Sequence, residues 1–169
     1  TVVDPSTTIA THLNKILREN ASELLSHDET QKLLDKLAAK YPKMVEELVP
    51  GKLSLGVVTR TLQGLLQEGV PIRDMRTVVE SLTEASAKSQ DPEQLTALIR
   101  PKLGRLIVQS LTESRDTLSV LTLEPSLEQM IHNVVQQNGG AANVVLEPGL
   151  ADGLFTALRQ NARDMEEKG

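Results

Sequence analysis

Apolar residues return every three or four positions along most of this chain, and a Pro, a Gly or a capping Asp or Ser stands at nearly every break in the rhythm. That spacing lines one face of an α-helix, whereas a half-buried strand alternates with a period of two. The first helix follows Asp4-Pro5: the carboxylate accepts orphan N–H groups, and Pro lacks the N–H that a first turn leaves over. Ile9, Leu13, Ile16, Leu17 and Leu24 make its apolar stripe. A second helix is predicted from about Asp28, with Gln31 as its capping-box partner. It buries Leu33, Leu34 and Leu37 and stops near Tyr41-Pro42; Met44, Val45, Leu48 and Val49 form a short further turn before Pro50-Gly51. Ser54 caps a third helix carrying Leu55, Val58, Leu62, Leu65 and Leu66, with Gly69 as its stop. Pro71 opens a fourth, with Ile72, Met75, Val79 and Leu82 inward. Asp91-Pro92 with Gln94 caps a fifth, which Pro101 should kink or divide. Pro125 opens another, and a last amphipathic helix runs from about Pro148 to Met165.

One stretch breaks the period. "TLSVLTLE" is β-branched and nearly continuously apolar, which predicts a strand over 118–123 covered on both faces. A lone strand cannot satisfy its own backbone donors and acceptors. Val2-Val3 likewise reads as the tail of another strand. The expectation is a fragment of mainly α class: a helical subdomain flanked by pieces of two α/β subdomains. The alternatives are that 118–123 pairs with a neighbouring molecule or is not a strand. The first residue, not a Met, is read as a cut or processed end.

Composition narrows the chemistry. Of 169 residues, 39% are hydrophobic, and Tyr41 and Phe155 are the only aromatic ones, so the core must be aliphatic. The net charge of −5 is spread along the chain as a solubility term. With no cysteine there are no disulfides, thiolate nucleophiles or Cys-based zinc sites. His12, His27 and His132 lie on separate elements without carboxylates at ligand spacing, so no metal site is expected. Neither a nucleophile elbow nor a phosphate-cradling glycine motif occurs. The reading is no enzyme, no catalytic residue and no cofactor. Residues 54–86 outline a helix-turn-helix, which makes a helical nucleic-acid-binding regulator the alternative. In its second helix, however, Asp74, Glu80 and Glu84 outnumber Arg73 and Arg76, a poor match for phosphate, so no nucleic-acid partner is expected.

Projected at about 100° per residue, Thr11, Arg18 and Ser22 fall opposite the apolar stripe of the first helix. Two readings stand: a solvated face, or a docking surface of hydroxyls and one Arg.

"VVDPSTTIATHL", "ETQKLLDKL", "LVPGKLSL", "LQGLLQEGVPIRDMRTVVESL", "LGR" and "LEPGLADGL" closely resemble the cytoplasmic C-terminal region of the FHIPEP family of flagellar export-gate proteins, to which virulence type III export gates are related. The resemblance runs from Val2 to about Leu154 and is nearer the flagellar branch. It implies a cytoplasmic platform that receives export chaperones with their cargo from the export ATPase complex, as a nonameric ring at the cytoplasmic face of the bacterial inner membrane. Contact with the membrane would come only through a missing N-terminal part. It implies that residues 1–24 close an α/β subdomain, that 25–104 are the all-helical subdomain, and that 105–169 begin a truncated α/β subdomain. Thr11 matches a threonine of the family's chaperone pocket, which extends the docking reading to Arg18 and Ser22. Arg73, Asp74 and Arg76 are candidates for subunit contact in the ring, against a reading as intrachain salt bridges. Thr8 stands where the family usually has an aliphatic residue, and Pro101 interrupts a helix usually free of proline. A purely structural scaffold is the remaining alternative.

Overall fold

The computed structural model describes residues 4–112, 120–137 and 146–168. Helices start where local chemistry supplies acceptors for the first N–H groups. Asp4 Oδ2 accepts from the N–H of Thr7 at 3.3 Å and opens α1 (Pro5–Glu19). Asn20 ends it: its side-chain amide donates to the Ile16 carbonyl at 2.8 Å, and α2 (Ala21–Leu24) follows as a separate turn. The projection that joined Ser22 and Leu24 to the first helix assumed an unbroken rod, and Asn20 breaks it.

The next helix, α3 (His27–Ala38), begins one residue before the expected Asp28. Its capping box is Ser26 with Glu29, not Asp28 with Gln31; the Ser26 hydroxyl donates to the Glu29 carboxylate and accepts from the N–H of Asp28 at 3.2 Å. That hydroxyl holds the Glu29 carboxyl below its ordinary value. After α4 (Pro42–Leu48) comes α5 (Leu55–Gln67), capped as expected by Ser54, which accepts from the N–H of Val57 at 3.3 Å. Gly69, at φ 73°, turns the chain out of α5, and the N–H of Val70 returns to the Leu65 carbonyl at 2.8 Å.

Pro71 does not open the fourth long helix. Instead α6 (Met75–Ala85) starts after Asp74, whose carboxylate accepts from Thr77 N–H at 3.2 Å and Thr77 hydroxyl at 2.7 Å. Capped by Asp91, α7 (Pro92–Ile99) gives way to a 3₁₀ turn at Arg100–Leu103 and then to α8 (Gly104–Thr112), so Pro101 divides the pattern. The last two helices are α9 (Pro125–Gln137) and α10 (Pro148–Lys168), the latter running past the expected end at Met165.

The class is mainly α, and no strand occurs among the described residues. Of the strand expected over 118–123, residues 120–123 have no regular structure, with Val120 65% and Leu121 44% exposed; residues 118 and 119 lie outside the described residues. Among the described residues no neighbouring strand stands beside them to complete a ladder. Val2-Val3 also lies outside the described residues.

The chain divides into two compact units, Thr1–Glu113 and Ser114–Gly169. In the first, one aliphatic core runs from Leu25 to Leu103 and includes Leu34, Leu48, Val58, Leu62, Leu65, Val79, Leu82, Leu95 and Ile99. Threonines inside it are satisfied within their own helices, as Thr59 donates to the Leu55 carbonyl at 2.9 Å and Thr61 to that of Val57 at 2.9 Å. The stripe on α1 is not part of this core: Ile9 is 68% exposed, and Leu13, Ile16 and Leu17 are exposed with it. No helix among the described residues is long and apolar enough to cross a membrane.

Candidate docking surface

Polar side chains of α1 form one continuous exposed ridge. Thr11, Asn14, Lys15, Arg18 and Glu19 line a shallow depression of about 510 Å³. The Thr11 hydroxyl donates to the Thr7 carbonyl at 2.8 Å, and the residue is exposed. Arg18 Nε donates to Asn14 Oδ1 at 3.1 Å, and Lys15 faces Glu19 at 3.8 Å. Thr11 and Arg18 thus share a face. Ser22 is half-buried on α2 and does not line the depression.

The "RDMRT" cluster separates into three different environments because α6 begins in its middle. Asp74 is occupied as the N-cap of α6. Arg76 is engaged inside the chain: its Nε meets Glu80 Oε1 at 3.0 Å, and its guanidinium carbon lies 5.1 Å from the centroid of the Tyr41 ring. The bond to Glu80 raises the Arg76 pKa further. Arg73 is exposed and makes no ion pair or hydrogen bond among the described residues.

Tertiary structure also unites two residues that the sequence had assigned to different surfaces. Arg18 and Arg73 line the same pocket, of about 550 Å³, together with Leu66, Val70, Pro71 and Gln109 of α8. Among the described residues its lining contains no carboxylate. Nothing local links an α1 residue to the turn after α5, so sequence periodicity had no means of finding this pocket.

Two other cations of this unit show the contrast, although Lys36, Arg60 and Arg105 among others also lack an ion pair among the described residues. Arg100 forms a two-pronged pair with Glu68, at 2.6 and 2.5 Å, and Lys52 meets Glu47 at 2.9 Å.

The FHIPEP family model matches residues 1–169. The chain is 44% identical over 167 residues to the flagellar biosynthesis protein FlhA of Escherichia coli, covering 99% of this chain and 23% of that one. It therefore spans about a quarter of the length of the curated relatives it matches. Among solved structures it is similar to a chain of the Chlamydia pneumoniae CdsV and CdsO protein complex, with a TM-score of 0.74 and 25% identity over 94% of this chain and 46% of that one. It is also similar to nonameric SctV-C from EPEC, with a TM-score of 0.70 and 28% identity over 90% of this chain and 47% of that one.

Proposed function

The chain belongs to the FHIPEP family, and on that premise we propose that it is a docking portion of a flagellar export gate, without enzymatic activity. In this reading it receives export chaperones with their cargo, meets components of the export ATPase complex, and packs against copies of itself in a ring at the cytoplasmic face of the inner membrane. Residues 1–24 then close one subdomain, 25–104 form the helical one, and 105–169 begin the next. The membrane-spanning part belongs elsewhere in the longer protein. Support for ring packing comes from the likeness to nonameric SctV-C, and support for a protein partner from the likeness to CdsV in its complex with CdsO.

The single observation that carries the docking assignment is the exposed ridge of α1. Thr11 is exposed, beside Arg18, on a helix whose polar face nothing else covers among the described residues. Ser22 contributes only through its position on α2. For subunit contact, Arg73 is the free member of the trio; Asp74 and Arg76 already serve α6 and its neighbours.

Thr11→Asp in the longer protein tests the assignment, read as the affinity for a flagellar chaperone–cargo complex. A carboxylate at that position removes the methyl contact and adds an unmatched charge, so affinity should fall by about tenfold or more. Unchanged affinity removes Thr11 from the docking surface.

A further inference from the structure

We propose that the pocket shared by Arg18 and Arg73 is a second docking site, one that takes an acidic peptide segment in which a carboxylate side chain neighbours an aliphatic one. The inference rests on the export-docking reading for the identity of the partner; its pocket shares Arg18 with the Thr11 depression but adds Arg73 and an apolar wall.

The chemistry follows from the lining. Two guanidinium groups reach one pocket from different elements, Arg18 from α1 and Arg73 from the turn before α6. Each keeps donors to spare: Arg18 uses its Nε on a neutral amide oxygen, and Arg73 has no polar partner among the described residues. By contrast, Arg76 and Arg100 already hold carboxylates, those of Glu80 and Glu68. Two arginines at one pocket whose described lining holds no carboxylate make it complementary to an external anion. Guanidinium is planar and bidentate toward carboxylate, which favours that group over a diffuse counterion.

The rest of the lining selects what surrounds the charge. Leu66, Val70 and Pro71 offer an apolar wall, with Val70 only 4% exposed, and Gln109 and Ser110 offer hydrogen bonds at the α8 side. A volume of about 550 Å³ lies within the range of roughly 300–1,000 Å³ found for ligand clefts, enough for two or three side chains. A bare inorganic anion would leave the apolar wall wet. A Glu or Asp beside a Leu or Ile fills both parts. Arg18 lines this pocket and the Thr11 depression alike, so a partner helix lying along α1 could present its acidic segment here.

The test measures fluorescence anisotropy of a labelled peptide carrying Leu-Glu-Asp-Leu against this chain, beside its neutral counterpart carrying Leu-Gln-Asn-Leu. The variants are Arg18→Gln and Arg73→Gln, both at exposed positions outside the core, with Lys36→Gln on α3 as a control for net charge. The expected result is binding of the acidic peptide, much weaker binding of the neutral one, and a loss of about tenfold with either arginine variant, as for a charge-assisted hydrogen bond. Lys36→Gln should bind like the parent chain, and inorganic phosphate at the peptide's own concentration should not displace it. Equal binding of the neutral peptide, or arginine variants that behave like Lys36→Gln, overturns the proposal. Displacement by phosphate overturns it in favour of a small-anion site. A change in the chain's solution mass with Arg73→Gln, while peptide binding stays constant, overturns it in favour of a second copy. Loss of the docking reading is seen separately, in chaperone–cargo binding by Thr11→Asp.

Discussion

Hydroxyl groups in this chain mostly serve the backbone. Thr8, Thr11, Thr59, Thr61, Thr83 and Thr96 each donate to the carbonyl four residues earlier, so a threonine inside a helix carries its own acceptor. Thr11 differs from its buried counterparts only in facing water. Ser26 does a different job, holding an N–H of α3 and the Glu29 carboxylate at once. Ser26→Ala should destabilise the first unit by roughly 1 kcal/mol, measured by urea denaturation at neutral pH. The pH dependence has a definite sign. Glu29 titrates below its ordinary value of 4.5 in the folded chain, so its contribution is complete above that value and lost as pH falls through the lower folded one. The gap between parent and Ser26→Ala should therefore narrow on acidification below 4.5. A gap that widens there contradicts the capping-box assignment.

At the scale of elements, α5 and α7 approach closely at Gly64. A Cβ added at Gly64 would stand 2.8 Å from the hydroxyl of Thr96 and 3.4 Å from its methyl group. Thr96 is 4% exposed and held by its bond to the Pro92 carbonyl at 2.8 Å, so moving aside breaks that bond. Gly64→Ala gains about 1 kcal/mol of helix propensity. Overpacking at that crossing costs about 1–3 kcal/mol and should win. The expected outcome is a lower urea midpoint for Gly64→Ala, and recovery of stability when Thr96→Ala is added. Recovery separates a steric cause from a general effect of altering α5, because the second change removes the two Thr96 atoms nearest the new Cβ. The α1 helix lies at the other extreme. It has a well-formed cap and an apolar stripe, yet none of its side chains is buried, so its stability within this chain is local.

A single aliphatic cluster joins α3 through α7, so this part of the first unit should unfold as one cooperative body. Leu62, fully buried near its middle, touches that cluster without any polar compensation. Leu62→Ala should cost about 2–5 kcal/mol, a large share of the 5–15 kcal/mol margin of an ordinary domain. Thermal unfolding followed by circular dichroism checks this: the transition should shift down while remaining a single step for the first unit. A surface substitution such as Lys36→Gln should leave it in place. Since Arg18 and Arg73 stand outside the cluster, docking variants and folding variants should separate cleanly.

Family membership, the mainly α class and most helix starts were legible from residues in order, because a cap and its first turn lie within three positions of each other. Asp4, Ser54 and Asp91 are read correctly from their neighbours alone. Where two acceptors compete a few residues apart, as with Ser26 against Asp28 or Pro71 against Asp74, local pattern does not choose between them, and the packed chain does. The expected strand failed for a related reason: a β-branched apolar run specifies a strand only when another strand supplies its hydrogen bonds. Burial was not legible either. The stripe on α1 follows the same period as that on α5, but one faces water and the other the core, since periodicity defines a face without saying what meets it. The pairing of Arg18 with Arg73, and of Gly64 with Thr96, belongs to the tertiary structure alone, because contacts between distant residues are set by how helices cross.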